Sequence, residues 1–126
     1  MSFLKNRINS FRYAINGVID LFRTEAHARI HAVAALIAII LGWLLEISLT
    51  EWCLVVISIF LVISAEAFNT ALEYLTDLVS PEQHPLAGKT KDVAAAGVLL
   101  TALNAFIIGT IIYVPKLLVY FAKLSN

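Results

Sequence analysis

This 126-residue chain has one cysteine, three prolines and no excess of charge of either sign. The single cysteine, Cys53, excludes an intramolecular disulfide and a cysteine metal cluster. Nine basic and nine acidic residues balance, which argues against a nucleic-acid partner. Only 14% of the residues are charged, whereas 60% are hydrophobic and the mean hydropathy is +0.86. So much apolar surface in so short a chain predicts a protein whose solvent is lipid.

The first segment, residues 1–28, has the periodicity of an amphipathic helix. Its apolar residues recur at spacings of three and four, and basic or polar residues lie between them. A helix of this kind, joined to apolar segments, is expected to lie in the membrane interface; the alternative is a helix packed on a soluble core. The apolar positions are Leu4, Ile8, Phe11, Ile15, Ile19 and Phe22.

Three apolar segments follow and predict three transmembrane helices, at residues 30–45, 52–66 and 93–114. The third is long enough to cross a bilayer at 1.5 Å per residue, and the first two are somewhat short. The predicted fold class is therefore all-α integral membrane, in a single membrane domain covering residues 1–126.

Prolines set the expected limits of these helices. Pro81 and Pro85, with Gly88, predict a loop over residues 80–90, so the second helix is expected to continue beyond the membrane to about residue 79. Pro115 predicts a kink or the end of the third span.

The distribution of lysine and arginine predicts the orientation. With the N-terminus inside, the inner segments carry seven basic residues and the outer segments two, namely Lys116 and Lys123. The N-terminus and the 80–90 loop are then cytoplasmic, and the C-terminus is extracytoplasmic. The expected location is a membrane that the chain crosses several times. The seven inner residues are Lys5, Arg7, Arg12, Arg23, Arg29, Lys89 and Lys91.

A polar stripe begins where the second apolar segment ends. Glu66, Asn69, Glu73 and Asp77 fall within an arc of roughly 80° on a helix. A carboxylate at the edge of a bilayer costs about 2.5 kcal/mol or more, and such residues are usually functional. Glu66, close to the acyl region, suits a general base that meets a lipid hydroxyl. The alternative is a helix whose acids are simply solvated or paired.

The same stripe suggests a metal site. Mg²⁺ prefers one or two carboxylates together with phosphate oxygens and water. Glu73 is expected to be one of these carboxylates, and Glu25, at the end of the amphipathic helix, the second. Lys91 and Asp92, before the third span, are candidates for holding a nucleotide's phosphates and its metal. They have simpler explanations: a lysine reaching lipid phosphates, and a helix N-cap.

Two other patterns in the sequence are weaker. The run Ala87-Gly88-Lys89-Thr90 resembles the end of a phosphate-binding loop, but Gln83 stands where that motif needs glycine and no strand precedes it. His27 and His31 have a spacing that can bind a transition metal, but no third ligand of that character is evident.

A longer pattern resembles the signature of the prokaryotic diacylglycerol kinase family. It runs from Glu66-Ala-Phe-Asn69-Thr-Ala-Leu-Glu73 through Asp77 to Glu82-Gln-His84-Pro-Leu-Ala-Gly-Lys-Thr-Lys91-Asp92. Thr24-Glu25-Ala-His-Ala-Arg29 looks like the family's acidic element before the first span. The amphipathic helix and three spans also agree, so the resemblance covers nearly the whole chain.

The resemblance implies a homotrimeric helical bundle in a bacterial plasma membrane. This enzyme would transfer the ATP γ-phosphate to a lipid hydroxyl, with active sites between subunits. It implies that Glu66 is the catalytic base and contacts the lipid, and that Glu25 and Glu73 bind Mg²⁺. Asn69 would support the site. The residues implied to contact ATP are Tyr13, Glu25, Asn69, Glu73, Glu82, Gln83, His84, Lys91 and Asp92.

One departure bears on the acceptor. Leu78 follows Asp77, where diacylglycerol-using members carry arginine, and Leu78-Val79 is closer to the branch that phosphorylates undecaprenol. The expected acceptor is diacylglycerol, giving phosphatidic acid, and undecaprenol is the alternative. Arg7 and Arg12 align poorly with the family's basic residue and are left out of the site. The alternative from another class is a non-enzymatic oligomeric pore or scaffold.

Overall fold

The structure, a computed structural model, describes residues 2–125, and Met1 and Asn126 of the predicted domain lie outside them. The described residues form four α-helices and are all-α. In chain order these are α1 (Ser2–Thr24), α2 (Ala26–Leu44), α3 (Leu49–Val79) and α4 (Pro85–Leu124). The helices α2, α3 and α4 are each long and apolar enough to cross a membrane.

The first helix ends earlier than the predicted residue 28. Glu25 has extended backbone angles (φ −95°, ψ 115°), which separate α1 from α2. The last carbonyls of a helix need donors from outside it. Arg29 supplies them: its guanidinium donates to the carbonyls of Phe22 (3.3 Å) and Arg23 (3.0 Å). The break places Glu25 at the junction of the two helices.

The connection between α2 and α3 is short because both helix ends are capped. Glu46 takes a left-handed conformation (φ 48°), and the N–H of Ile47 donates back to the carbonyl of Gly42 (3.1 Å), as in a Schellman motif. Ser48 and Glu51 then form a capping box, in which each side chain accepts from the other residue's backbone N–H. As a result α3 begins at Leu49, three residues before the predicted span.

The same end of the bundle is tied to α4. Lys116 forms an ion pair with Glu51 (Nζ–Oε2 3.3 Å). The Tyr113 hydroxyl donates to the carbonyl of Ala38 (2.8 Å), which joins α4 to α2. Trp52 packs so closely on Gly42 that a Cβ there would lie 2.7 Å from the indole ring. These contacts surround a small buried apolar core formed by Ile47, Val55, Ile112 and Tyr113.

Pro85 does not act as predicted, and Pro115 does not end its helix. Pro85 is at the first turn of α4, where its missing N–H needs no partner, so the loop is Ser80–His84 instead of residues 80–90. Pro115 lies inside α4, which continues through it to Leu124 without the predicted end. Pro81 is the one that lies in a break between helices. The third span is therefore part of a 40-residue helix.

Most of the apolar surface of the spans is not covered within one chain. Side chains such as Phe60, Leu100 and Ile111 are exposed along α3 and α4. In water this surface would be a liability, but in a bilayer it faces hydrocarbon or another subunit.

Candidate active site

The predicted polar stripe lies on α3, and it runs from a buried to an exposed position. Glu66 is 3% exposed, Asn69 and Glu73 are half-buried, and Asp77 is exposed. The amide of Asn69 donates to Glu73 Oε1 (3.0 Å), so these two side chains are held together one turn apart. The stripe therefore connects a buried carboxylate to the aqueous end of the helix.

The neighbour of Glu66 across the bundle is a residue whose role the sequence did not indicate. His31, on α2, places its Nε2 atom 3.2 Å from Glu66 Oε1. His27, which shares the spacing for a transition metal, is exposed. Among residues 2–125 no group of three or more His, Cys, Asp or Glu side chains lies close enough to hold a metal. The only sequence signal for the pairing was a polar residue interrupting an otherwise apolar helix.

Three side-chain atoms around this point are buried without a hydrogen-bond partner among the described residues. They are Glu66 Oε1, Asn69 Oδ1 and Thr70 Oγ1, all within a little more than one turn of α3. Buried polar atoms are nearly always paired, and an unpaired group marks a catalytic role or the place of a ligand. Three such atoms within a little more than one turn make this part of α3 the best candidate for the centre of the site.

A second polar feature, here called the loop groove, lies where α3 and α4 meet. It has a volume of about 530 Å³ and brings together four of the residues predicted to contact ATP: Glu82, Gln83, His84 and Lys91. Lys91 Nζ pairs with Asp77 Oδ1 at 2.6 Å across its floor. An exposed groove with a lysine and several polar side chains can hold a polar, anionic molecule.

His84 has a structural role in this groove as well. Its Nδ1 atom accepts from the backbone N–H of Leu86 (3.2 Å) and so caps the start of α4. Asp92, considered above as a helix N-cap, is instead an exposed residue inside α4, so that explanation is wrong.

Three predicted site residues are not joined to the stripe within one chain. Tyr13 is 71% exposed on α1, and Glu25 is half-buried at the α1–α2 junction. Across residues 2–125, no hydrogen bond or ion pair links Tyr13, Glu25 or Asp92 to Glu66 or Glu73.

A third feature, the α1–α3 groove, has a volume of about 680 Å³ and is mainly apolar. The hydroxyl of Tyr74 lies 3.3 Å from Asp20 Oδ2 and 3.2 Å from Thr24 Oγ1, and these contacts join α3 to α1. Thr70 is one of the residues lining this groove, and its hydroxyl oxygen is buried without a partner among the described residues. Glu66 is one turn away and faces α2, outside the lining.

The buried carboxylate on a membrane-spanning helix, with a groove for an anionic ligand beyond it, defines a membrane protein with an enzyme-like site. The sequence also matches the description "Prokaryotic diacylglycerol kinase" over residues 12–113. The chain belongs to the prokaryotic diacylglycerol kinase family.

Individual relatives agree with this assignment. The chain is 39% identical over 117 residues to the undecaprenol kinase of Bacillus subtilis, a match covering 90% of this chain and 95% of that protein. It is also 39% identical over 114 residues to a diacylglycerol kinase of Synechocystis sp., covering 90% and 65% of the two chains. Identity to the diacylglycerol kinase of Escherichia coli K12 is 31% over 100 residues, covering 79% and 82%.

These findings establish an ATP-dependent lipid kinase of a bacterial membrane. The prediction of an enzyme is confirmed, and the alternative of a pore or scaffold is set aside. Relatives at equal identity carry both acceptor names, so overall similarity does not choose between diacylglycerol and undecaprenol.

Proposed function

We propose that this kinase transfers the γ-phosphate of ATP to the free hydroxyl of diacylglycerol, giving phosphatidic acid and ADP. The observation that carries the proposal is the burial of Glu66, with an unpaired carboxylate oxygen, on the helix that leads to the loop groove. Phosphoryl transfer depends mostly on positioning and charge neutralisation, with a group that accepts the proton of the attacking hydroxyl.

Glu66 is the proton acceptor in this scheme. As the acceptor oxygen bonds to the γ-phosphorus, the bond from phosphorus to the β,γ-bridging oxygen breaks, and the hydroxyl proton passes to the Glu66 carboxylate. Placement on a rigid helix keeps the carboxylate at one depth, which suits a lipid hydroxyl that arrives laterally through the bilayer.

The nucleotide is assigned to the cytoplasmic end of the stripe. Glu82, Gln83, His84 and Lys91 line one groove, and the lysine supplies positive charge for phosphate oxygens. The ion pair between Lys91 and Asp77 must open before Lys91 can bind phosphate. Breaking it should cost little free energy, because both side chains are substantially exposed. Tyr13, Asn69 and Asp92 remain assigned to ATP through the family resemblance.

Mg²⁺ is assigned to Glu73 and Glu25. Both supply hard oxygen ligands of the type that this ion prefers, and Asn69 Oδ1, unpaired and next to Glu73, adds a further oxygen. When bound, the ion neutralises charge on the transferring phosphate. Asn69 holds Glu73 in place for this role through its amide.

The α1–α3 groove is proposed to receive the acceptor lipid. Its lining is mainly apolar, as an acyl chain requires, and it includes Thr70, one turn from Glu66, whose buried and unpaired hydroxyl would turn toward the groove by a change of rotamer. Diacylglycerol presents ester carbonyls next to its free hydroxyl, and such a donor would bind one of them. A polyprenol has no carbonyl to use it.

Undecaprenol is the second candidate because of Leu78. This side chain is 80% exposed directly after Asp77, where an arginine would add a donor for a head group. The relative from Bacillus subtilis, which is matched over 95% of its length, is named for this acceptor.

Measuring kcat/KM for both lipids in the same detergent micelles separates the candidates. Diacylglycerol is expected to be preferred at least about tenfold, equivalent to about 1.4 kcal/mol of transition-state binding. Thr70→Val should reduce kcat/KM for diacylglycerol and leave the value for undecaprenol unchanged. A tenfold preference for undecaprenol would reverse the acceptor assignment and leave the kinase chemistry in place.

The proposed orientation places the N-terminus, the loop groove and ATP in the cytoplasm, with α1 in the interface. Exposed apolar residues on α1, including Ile8, Phe11 and Ile15, support contact of this helix with lipid. We expect alkaline phosphatase fused after Asn126 to be active, because this reporter works only outside the cytoplasm. An inactive fusion, with a cytoplasmic fluorescent reporter active at the same position, would contradict the seven-to-two charge assignment.

We also propose that the enzyme is a homotrimer with active sites between subunits. One chain leaves much apolar surface of its spans exposed and does not bring Glu25, Tyr13 or Asp92 into contact with the stripe. Residues of a neighbouring subunit would complete the site.

A further inference from the structure

Glu66 has one close polar neighbour on another helix, and the family resemblance gave that neighbour no role. His31 Nε2 lies 3.2 Å from Glu66 Oε1, and the His31 side chain is 26% exposed. The other carboxylates of the stripe have different partners: Glu73 bonds to Asn69 on its own helix, and Asp77 pairs with Lys91 on α4. The contact with His31 is therefore particular to the buried member of the stripe.

The geometry of this contact is that of a hydrogen bond not yet formed. The distance is within ion-pair range, but Oε1 receives no hydrogen bond from any described residue. Catalytic hydrogen bonds are often long or poorly aligned in the absence of substrate and tighten when it binds. Because Nε2 and Oε1 are already 3.2 Å apart, the change that would form this hydrogen bond is one of alignment and not of distance.

The surroundings of His31 leave it little else to bind. It lies at one end of an apolar cavity of about 250 Å³ between α2, α3 and α4. Two other polar side chains line this cavity, and both donate to backbone carbonyls: Ser58 to Leu54 (2.8 Å) and Tyr113 to Ala38 (2.8 Å). Among the described residues around the cavity, His31 is therefore the donor that remains without an acceptor. The neighbouring acceptor without a donor is Glu66 Oε1.

We propose that His31 is a positioning residue for Glu66. Its Nε2–H donates to Oε1 in the active complex and holds the carboxylate in one rotamer, so that the second oxygen, Oε2, is directed at the hydroxyl of the acceptor. This inference rests on the proposed role of Glu66 as the base. Orienting a base by a neighbouring group that does not touch the substrate affects the chemical step more than substrate binding.

The test compares variants that keep or remove the donor. His31→Leu removes it at similar volume, and His31→Gln keeps an N–H at similar reach. We expect His31→Leu to lower kcat about tenfold or more with the KM for Mg-ATP unchanged, and His31→Gln to recover most of the loss. His27→Leu is the matched control, because His27 is an exposed histidine one turn earlier on the same helix.

A double-mutant cycle distinguishes positioning from packing. If His31 acts through Glu66, His31→Leu should have no further effect on the residual rate of a Glu66→Gln enzyme. An equal loss in both backgrounds, or a wild-type kcat for His31→Leu, would overturn the inference. If Glu66→Gln itself kept near-normal turnover, the proposed base would be wrong and the cycle would show this separately.

Folding is checked by the shift in thermal unfolding temperature that Mg-ATP produces in micelles. Should His31→Leu fail to fold, His31→Asn replaces it, because the shorter amide stays polar but does not reach Oε1. The expected result is then a low kcat for asparagine and recovery by glutamine. Equal rates for His31→Asn and His31→Gln would contradict the inference, because only the longer glutamine side chain is expected to bring an N–H to Glu66 Oε1.

Discussion

Glu66→Gln is expected to lower turnover by at least about 10²-fold while Mg-ATP still binds, since this is the usual contribution of a general base. Glutamine keeps the shape of the side chain and its capacity to accept a hydrogen bond, but it does not take up the proton of the lipid hydroxyl. Folding should be retained because a neutral amide is easier to bury than a carboxylate. Initial rates with a lipid acceptor and the KM for Mg-ATP together measure the two effects.

Two further variants make this result specific. Glu46→Gln changes an exposed carboxylate in the connection between α2 and α3 and should leave turnover unchanged. Glu73→Gln should instead weaken Mg-ATP binding, because that carboxylate is assigned to the metal. Near-normal turnover in Glu66→Gln would show that another group accepts the proton.

Mixing two inactive proteins is expected to restore activity. If Glu66 and Lys91 meet across a subunit interface, trimers assembled from Glu66→Gln and Lys91→Ala subunits contain some sites in which both residues are intact. The structure gives a reason to expect this, because Glu66 contacts α2 and Lys91 contacts Asp77, about 16 Å further along α3 at 1.5 Å per residue. The measurement is activity in the mixture well above the residual rate of either parent.

The assembly state has to be measured in the same samples. Subunits with different affinity tags, purified in sequence, isolate the mixed oligomers. Absence of any recovery in mixed trimers would place both residues in one subunit, and a monomer or dimer of full activity would contradict the trimer. Loss of the exposed Lys91–Asp77 pair should not itself unfold the protein, because exposed ion pairs contribute roughly 0–1 kcal/mol.

The membrane-spanning character of the chain was predictable from composition, but several helix boundaries were not. A long apolar run indicates a transmembrane helix, so the three spans could be predicted from hydropathy. Pro85 does not break a helix because no hydrogen bond is lost at the first turn of α4. Pro115 removes a donor from the interior of α4, and the helix continues through it to Leu124. The break at Glu25 has no local signal at all: it depends on Arg29, four residues later, reaching back to the carbonyls of α1.

The candidate site was also predictable only in part. Glu66, Asn69, Glu73 and Asp77 share a face because helical periodicity is a property of one segment, and the structure places all four on α3. The contact between His31 and Glu66 depends on how α2 packs against α3, which periodicity does not specify. The grouping of Glu82, Gln83 and His84 with Lys91 depends similarly on the path of a short loop.

Every kinase has to favour its acceptor over water, which offers the same O–H group in great excess. The α3 helix runs without interruption from Leu49 to Val79 and holds Glu66 at a point where 3% of the residue is exposed. With Glu66 as the base, the group that would activate water is covered by the helices of the protein itself, so bulk water has little access to it. Protection of ATP from wasteful hydrolysis would then follow from the burial of one carboxylate.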